Sequence, residues 1–219
     1  MRNYLYYILI LFSIFPLFSC QQSKRQSLEI DNKSYINNFE LIQENPLNQT
    51  SIVINSPKAI IDPLNNDIEI FNSVIKILNH DKPEIEVKSG NSFLNNSKNL
   101  ISAYNNVLIS LLDSKNSYIK TNSFDWDINK SYIDLDNNLD INFENTKIIS
   151  TNGSYTIDLR ILDLNNIKFD RSIFNNAGQK LYQIKIESDN AKWYKDENSI
   201  EFSSNNRQVE STIDFLSIE

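Results

Sequence analysis

The stretch LDNNLDI, residues 135–141, decides how the rest of the chain is read. An Asn pair interrupts an apolar alternation there without shifting its phase. Ile133, Leu135, Leu139, Ile141 and Phe143 take one face, and Asp134, Asp136, Asp140, Asn142 and Glu144 the other. Strand side chains alternate between faces with a period of two, so this is a half-buried strand running through the pair, not a hairpin reversing at it. The pair recurs in YNNVLI (104–109) and LNNIKF (164–169), with Asn105, Asn137 and Asn165 spaced 32 and 28 residues apart. Asn tolerates left-handed backbone angles better than other residues with a Cβ, so Asn-Asn predicts a kink where a sheet bends. At successive corners its amides are also placed to form a hydrogen-bonded ladder.

The recurrence belongs to a longer repeat. With Ile61, Phe93, Trp126, Tyr155 and Trp193 as anchors, an aliphatic residue follows each by seven: Ile68, Leu100, Ile133, Leu162 and Ile200. Upstream, Ile54, Ile119, Ile148 and Ile186 precede four anchors by seven, and Ser56, Thr121, Ser150 and Ser188 precede them by five. The second copy carries the same pair one residue closer, as Val87 and Ser89. Each copy reads as strand, polar turn, strand, Asn corner, strand, and self-similarity at about 30 residues marks a stacked architecture. The expected fold is all-β, a twisted roll of stacked antiparallel strands built from about five imperfect repeats. Such a stack leaves an open edge at each end, where another chain can add a strand.

Composition narrows the function. The chain of 219 residues has three Gly and five Pro, which argues against a Gly-rich phosphate cradle. A net charge of −7 disfavours nucleic acid, because phosphate neutralisation needs a basic patch. His80 is the one His, in a loop-like NHDKPE context, so neither a Ser-His-Asp triad nor a His-based metal site is expected. Asp134, Asp136, Asn138 and Asp140 fall at calcium-loop spacing. Leu139 and Asn145 stand where that loop needs Gly and Glu, and strand alternation already accounts for the acids. Trp126 and Trp193 occupy equivalent places in their copies and are assigned to the core. The chain is therefore expected not to be an enzyme and to need no cofactor or metal.

At the N-terminus, Arg2 precedes an apolar run from Tyr4 to Phe18 and then LFSC, Leu17 to Cys20. About 16 helical residues reach roughly 24 Å, short of the ~30 Å hydrocarbon core, which suits the apolar region of a signal peptide. Leu17 at −3, Ser19 at −1 and Cys20 at +1 form a lipobox pattern, and Cys20 is the single Cys of the chain. Residues 1–19 are expected to be a lipoprotein signal peptide, 20–50 a lipidated Cys and polar tether, and 51–219 the folded domain. Cys20 is the expected lipid anchor, holding the protein to a membrane on the periplasmic side of a cell envelope.

The repeated pattern Ile-x-Ser/Thr, aromatic, aliphatic, Asn-Asn-apolar-x-apolar, clearest over residues 99–169, resembles the OstA-like β-jelly roll of the LptA–LptC family of lipopolysaccharide-export proteins. Where that family usually has Gly-Asn at the corner, this chain has Asn105, Asn137 and Asn165 in place of the Gly. The resemblance covers about residues 51–219, and a single roll tethered by its N-terminus is the arrangement of the family's LptC members. It implies a component that receives lipopolysaccharide from an inner-membrane ABC transporter and passes it to an LptA-like bridge of β-jelly rolls. It also implies edge-to-edge strand pairing with the transporter's membrane subunits and with that bridge, and lipid A acyl chains held between the sheets. Family members commonly use a transmembrane helix where this chain has Cys20, and Gln21 is not the Asp that retains enteric lipoproteins in the inner membrane. The inner membrane is favoured and the outer stays open. Candidate lipid-facing residues are Phe124, Trp126, Ile133, Leu135, Leu139, Ile141, Phe143, Ile157, Leu159, Ile161, Ile167 and Phe169. The competing expectation is a structural or carbohydrate-binding β-solenoid lipoprotein whose interior is filled by its own side chains.

Overall fold

In the computed structural model the described residues are 33–45, 50–112, 116–136, 138–205 and 208–215. The chain divides into Met1–Asp31 and Asn32–Glu219. The apolar run, the lipobox and Cys20 lie outside the described residues, among which no helix is long and apolar enough to cross a membrane.

The described residues form an antiparallel sheet of fourteen strands. The first six are β1 (Ser34–Asn45), β2 (Thr50–Ile61), β3 (Ile68–Asn79), β4 (Lys82–Asn95), β5 (Leu100–Leu111) and β6 (Tyr118–Asp127). A 3₁₀ turn (Ile128–Lys130) leads to β7 (Tyr132–Asp136), β8 (Leu139–Phe143), β9 (Thr146–Ser150) and β10 (Asn152–Thr156). Then come β11 (Ile161–Phe174), β12 (Lys180–Tyr194), β13 (Ser199–Ser203) and β14 (Glu210–Phe215). Each strand pairs with the next pass of the chain, so the topology is a meander. β7 and β8 pair with the two halves of β6, β10 and β9 with the two halves of β11, and β13 and β14 with the two halves of β12. Each of these couples is therefore one long bent pass, broken at its corner.

The bend divides every pass between two layers. The first contains β8, β9, β14, the first halves of β2, β4, β6 and β12, and the second halves of β3, β5 and β11. The second contains β7, β10, β13 and the complementary halves. The layers face each other with inward side chains, and they pack with an offset. Phe143 of β8 meets Trp193 of β12 edge-to-face at 4.6 Å, and Phe169 of β11 meets Phe202 of β13 at 5.2 Å. A half-strand thus packs on one formed later in the chain.

The corner has two alternating chemistries. On β1, β3, β5, the β7–β8 pass and β11 the backbone turns through left-handed angles at Asn38, Asn72, Asn105 and Asn106, Asn138, and Asn166, with φ between 51° and 65°. The intervening passes carry a buried hydroxyl instead: Ser56, Ser89, Thr121, Ser150 and Ser188. Each hydroxyl reaches the carbonyl two residues ahead, at 2.7 to 3.0 Å. Ser56, Thr121 and Ser150 also reach across to the carbonyl fifteen residues on, of Phe71, Asp136 and Asn165, at 2.5 to 2.6 Å. A kinked pass loses ladder hydrogen bonds at its bend, and the neighbouring hydroxyl satisfies the carbonyl that the kink leaves buried. The Asn amides do bond across the corner, but to Asn on the adjacent pass: Asn105 donates to Asn91 at 2.8 Å and Asn165 to Asn152 at 2.6 Å.

Three sequence expectations shift. The sheet begins at Ser34, not Ser51: β1 pairs with β2 along its length and buries Phe39, inside the stretch expected as tether. Its alternation is hidden because Asn38, at φ 52°, resets the phase. The second anchor is Leu94, not Phe93. Four anchors face their seventh residue directly across a hairpin, Ile61 with Ile68, Trp126 with Ile133, Tyr155 with Leu162 and Trp193 with Ile200. In the second copy Leu94 faces Ile101, and from Leu94 both Val87 and Ser89 regain the common spacing. The third shift concerns residues 157–161. They were expected on an alternating inward face, but residues 157–160 form the β10–β11 turn, with Arg160 at φ 53°.

Candidate functional site

Alternation delivers aliphatic and aromatic side chains from every pass to the space between the layers. Phe124, Trp126, Ile133, Leu135, Leu139, Ile141, Ile167 and Phe169 are all buried there. Phe143 is partly buried against the same core at the end of β8. Ile157 is half-buried beside the interior, in the turn. Two candidates do not line it. Leu159 projects from the turn and is 65% exposed, and Ile161 lies on the outer face, because the turn reverses the phase and makes Leu162 and Leu164 the inward residues of β11. The sequence list also omitted Ile119, Ile148, Leu162 and Trp193, all buried inward. The repeat already marked each of them, as an anchor or as its partner seven away.

The interior is tight in the middle and opens at its two ends. Between Ile109, Ile119, Leu135 and Leu162 the free space is about 20 Å³, room for little more than one water. Where β2 and β3 of the first layer face the β6–β7 turn of the second, a cleft of about 250 Å³ lies among Ile52, Ile77, Trp126, Ile128 and Ile157, with Gln43, Glu44 and Asn129 at its polar side. Among the described residues the buried indole N–H of Trp126 has no acceptor. At the other end a cleft of about 220 Å³ lies among Phe143, Phe169, Ile186, Trp193 and Phe202, with Glu144 and Arg171 among the residues around it. The interior thus offers an apolar wall of strand after strand with a partly polar mouth at each end. The charged and amide side chains around the clefts stand at these mouths, Glu44 at one and Glu144 and Arg171 at the other.

Other titratable groups sit on the outer faces and turns. On the outer face of the second layer Asp125 stands directly opposite Asp134, and Ser102 donates to Asp125. Asp127 caps the 3₁₀ turn, accepting from the backbone N–H of Asn129 and of Lys130, and pairs with the Lys130 ammonium at 2.6 Å. The hydrogen bond from Lys130 is the main reason its carboxyl sits below the ordinary value, and the Lys130 ammonium is raised in return. Burial, then the hydrogen bond to Glu201, pushes the Tyr194 phenol up. His80 lies in the β3–β4 turn, where its Nδ1 bonds to the Asn79 side chain at 2.6 Å. Among the described residues no three His, Cys, Asp or Glu side chains are grouped to hold a metal.

Comparison with known proteins adds two findings. Residues 5–168 match the family model described as lipopolysaccharide-assembly, LptC-related. Among solved structures the chain is similar to LptH, the LptA-homologous periplasmic component of the conserved lipopolysaccharide transport device from Pseudomonas aeruginosa. The two are 10% identical, with a TM-score of 0.42 over 52% of this chain and 81% of that one. No curated protein matches the sequence.

Proposed function

The chain belongs to the LptC-related family of lipopolysaccharide-assembly proteins, and from that premise we propose that it is the membrane-tethered relay of lipopolysaccharide export. It receives the lipid from an inner-membrane ABC transporter and hands it to an LptA-like bridge of β-jelly rolls. Acylation of Cys20 anchors it to the periplasmic face of the envelope. The lipid A acyl chains lie between the two layers, against Ile133, Leu135, Leu139 and Ile141, and enter or leave through the mouths at either end. The observation that carries this reading is the continuous inward row of apolar side chains joining two open clefts. Burial of methylenes at roughly 0.8 kcal/mol each holds an acyl chain at any point along such a row. Neighbouring positions hold it about equally, so the chain moves without a deep trap and the directional work is done elsewhere. Among the described residues β1, β13 and β14 are the edge strands of the sheet, and these edges accept strands from the transporter and the bridge.

The tight middle requires the layers to part by a few ångströms as the lipid passes. It also favours the second reading, an envelope scaffold whose interior is filled by its own side chains. Photo-crosslinking separates the two. A photoreactive residue at Ile157, in the first mouth, is expected to form a lipopolysaccharide adduct in growing cells, and one at Asp134, on the outer face, is not. A folded, membrane-bound protein that labels no lipid at Ile157 would establish the scaffold.

A further inference from the structure

The two outer faces of the roll differ in charge. On the first layer, strand pairing aligns two rows of outward residues across β3 to β12, one starting at Val74 and one at Lys76. They carry Lys76, Lys88, Lys120, Lys147, Lys168 and Lys185 against four acids, Glu86, Asp140, Asp170 and Glu187, a net +2. The matching rows of the second layer start at Glu69 and Phe71. They carry Lys192 against five acids, Glu69, Asp125, Asp134, Asp136 and Asp163, a net −4. A chain of net charge −7 thus keeps one face weakly cationic. Its lysines are accessible, with the side chains of Lys88, Lys147 and Lys168 57%, 61% and 72% exposed. Three of the ion pairs are loose, Lys76 to Glu86 and Lys147 to Asp140 at 3.8 Å and Lys168 to Glu187 at 3.7 Å. Such exposed pairs hold their partners weakly, so another anion displaces the carboxylate at little cost. In the first row Val74, Leu108 and Ile149 stand between the lysines, which puts aliphatic surface at the same level as the charges.

We propose that the outer face of the first layer, centred on Lys120, Lys147 and Lys168, lies against the anionic phospholipid headgroups of the membrane that holds the anchor, with the second layer turned away. The cations are spread over several strands and not gathered in a pocket, so their partner is a surface. The sheet begins at Ser34, 14 residues after Cys20, and a tether of that length spans at most about 50 Å. The roll therefore stays close to the lipid, and the tether supplies the binding while the faces supply the orientation. A negative leaflet attracts the lysines of one face and repels the carboxylates of the other, and the six charges between +2 and −4 act together. This orientation rests on anchoring through Cys20 and not on the passage of lipid between the layers.

Lysine footprinting reads the orientation directly. The full chain, purified with its anchor, is placed in vesicles of equal parts phosphatidylethanolamine and phosphatidylglycerol, and in vesicles where phosphatidylcholine replaces the phosphatidylglycerol. A water-soluble N-hydroxysuccinimide ester labels accessible lysines under single-hit conditions, and each rate is divided by the rate for the same lysine in detergent. In the anionic vesicles Lys120, Lys147 and Lys168 are expected to label about threefold or more slower than Lys58 and Lys192 of the second layer. The difference should vanish in the neutral vesicles, and in about 1 M salt, where the screening length is about 3 Å. Lys120→Gln and Lys168→Gln together should also release the protection of Lys147. Both side chains lie on the solvent side of the sheet, and the parent footprint stands without this variant. Even labelling of the two faces in anionic vesicles, protection that survives neutral lipid or high salt, or protection of Lys147 unchanged in the double variant would each overturn the proposal. Flotation reports the anchor separately. Protein that floats with both vesicles and labels evenly loses the orientation alone, and protein that floats with neither loses the anchor and the orientation together.

Discussion

Gly153 sits on the inward side of β10, where a Cβ would lie 2.6 Å from the Asp163 carbonyl oxygen and 2.8 Å from Leu164 Cδ2. The nearer obstacle is backbone of the paired strand, which cannot swing away, so Gly153→Ala should cost about 1–3 kcal/mol, read as a lower denaturation midpoint with an unchanged slope. The corner hydroxyls make a second test. Ser150 accepts from the Asn165 N–H at 3.2 Å and reaches the Asn165 carbonyl at 2.6 Å, so Ser150→Ala takes this acceptor from the Asn165 N–H, while the carbonyl keeps the Thr151 N–H at 3.0 Å and hydroxyl at 3.1 Å. That should cost about 1–3 kcal/mol. Ser150→Thr should cost much less, because Thr121 fills the equivalent corner with the same bonds. A Thr variant as unstable as the Ala variant would show that packing, not hydrogen bonding, is what the corner requires.

Among the elements, the 3₁₀ turn has its stability tied to pH. The Asp127 carboxyl has its pKa lowered in the fold, first by the hydrogen bond from Lys130. A depressed carboxyl contributes stability that is fully present above its unfolded value and is lost as pH falls through the folded one. Asp127→Asn should therefore melt lower than the parent at pH 6–8, and the gap should close below about pH 4, the ordinary carboxylate range. A gap that persists in acid would mean the cap acts through geometry alone. The elements also show what sequence can and cannot reveal. Alternation through Asn137–Asn138 gave β7 and β8 as one bent pass, because a corner that inserts an even number of residues preserves phase. β1 escaped, because one left-handed residue at Asn38 puts Ile36 and Phe39 on the same side three residues apart, which no period-two template matches. Leu159 and Ile161 were misplaced for the same reason: the turn at 157–160 uses up the phase between two strands that each alternate cleanly. Arg171, at the second mouth, had no signal in the sequence, since a cation in a polar-looking stretch reads as a solvated face until its partner strands are known.

At the scale of the molecule, the meander makes stability a matter of neighbours, as in stacked repeats. The offset between layers adds a second kind of neighbour. Ile52 of β2 lies at the same cleft as Trp126, Ile128 and Ile157, so Ile52→Ala removes packing from both. We expect a loss of about 2–5 kcal/mol locally. Hydrogen exchange should quicken in β2–β3 and in β6–β7, distant in sequence, while β12 keeps its protection. Uniform acceleration across all strands would mean that the roll unfolds as one cooperative unit. The reading of the chain as stacked copies came from spacing alone. The offset did not, because which layer meets which depends on twist accumulated over several passes.

That offset also sets an order of events during synthesis. The inward face at Ile52 waits for Ile128 and Ile157, 76 and 105 residues behind it. At about 5–20 residues per second the nascent β2–β3 hairpin stays uncovered for roughly 4 to 20 seconds. Through that interval it is a greasy ribbon with a free edge, so the part of the roll made early is where a chaperone has most to shield.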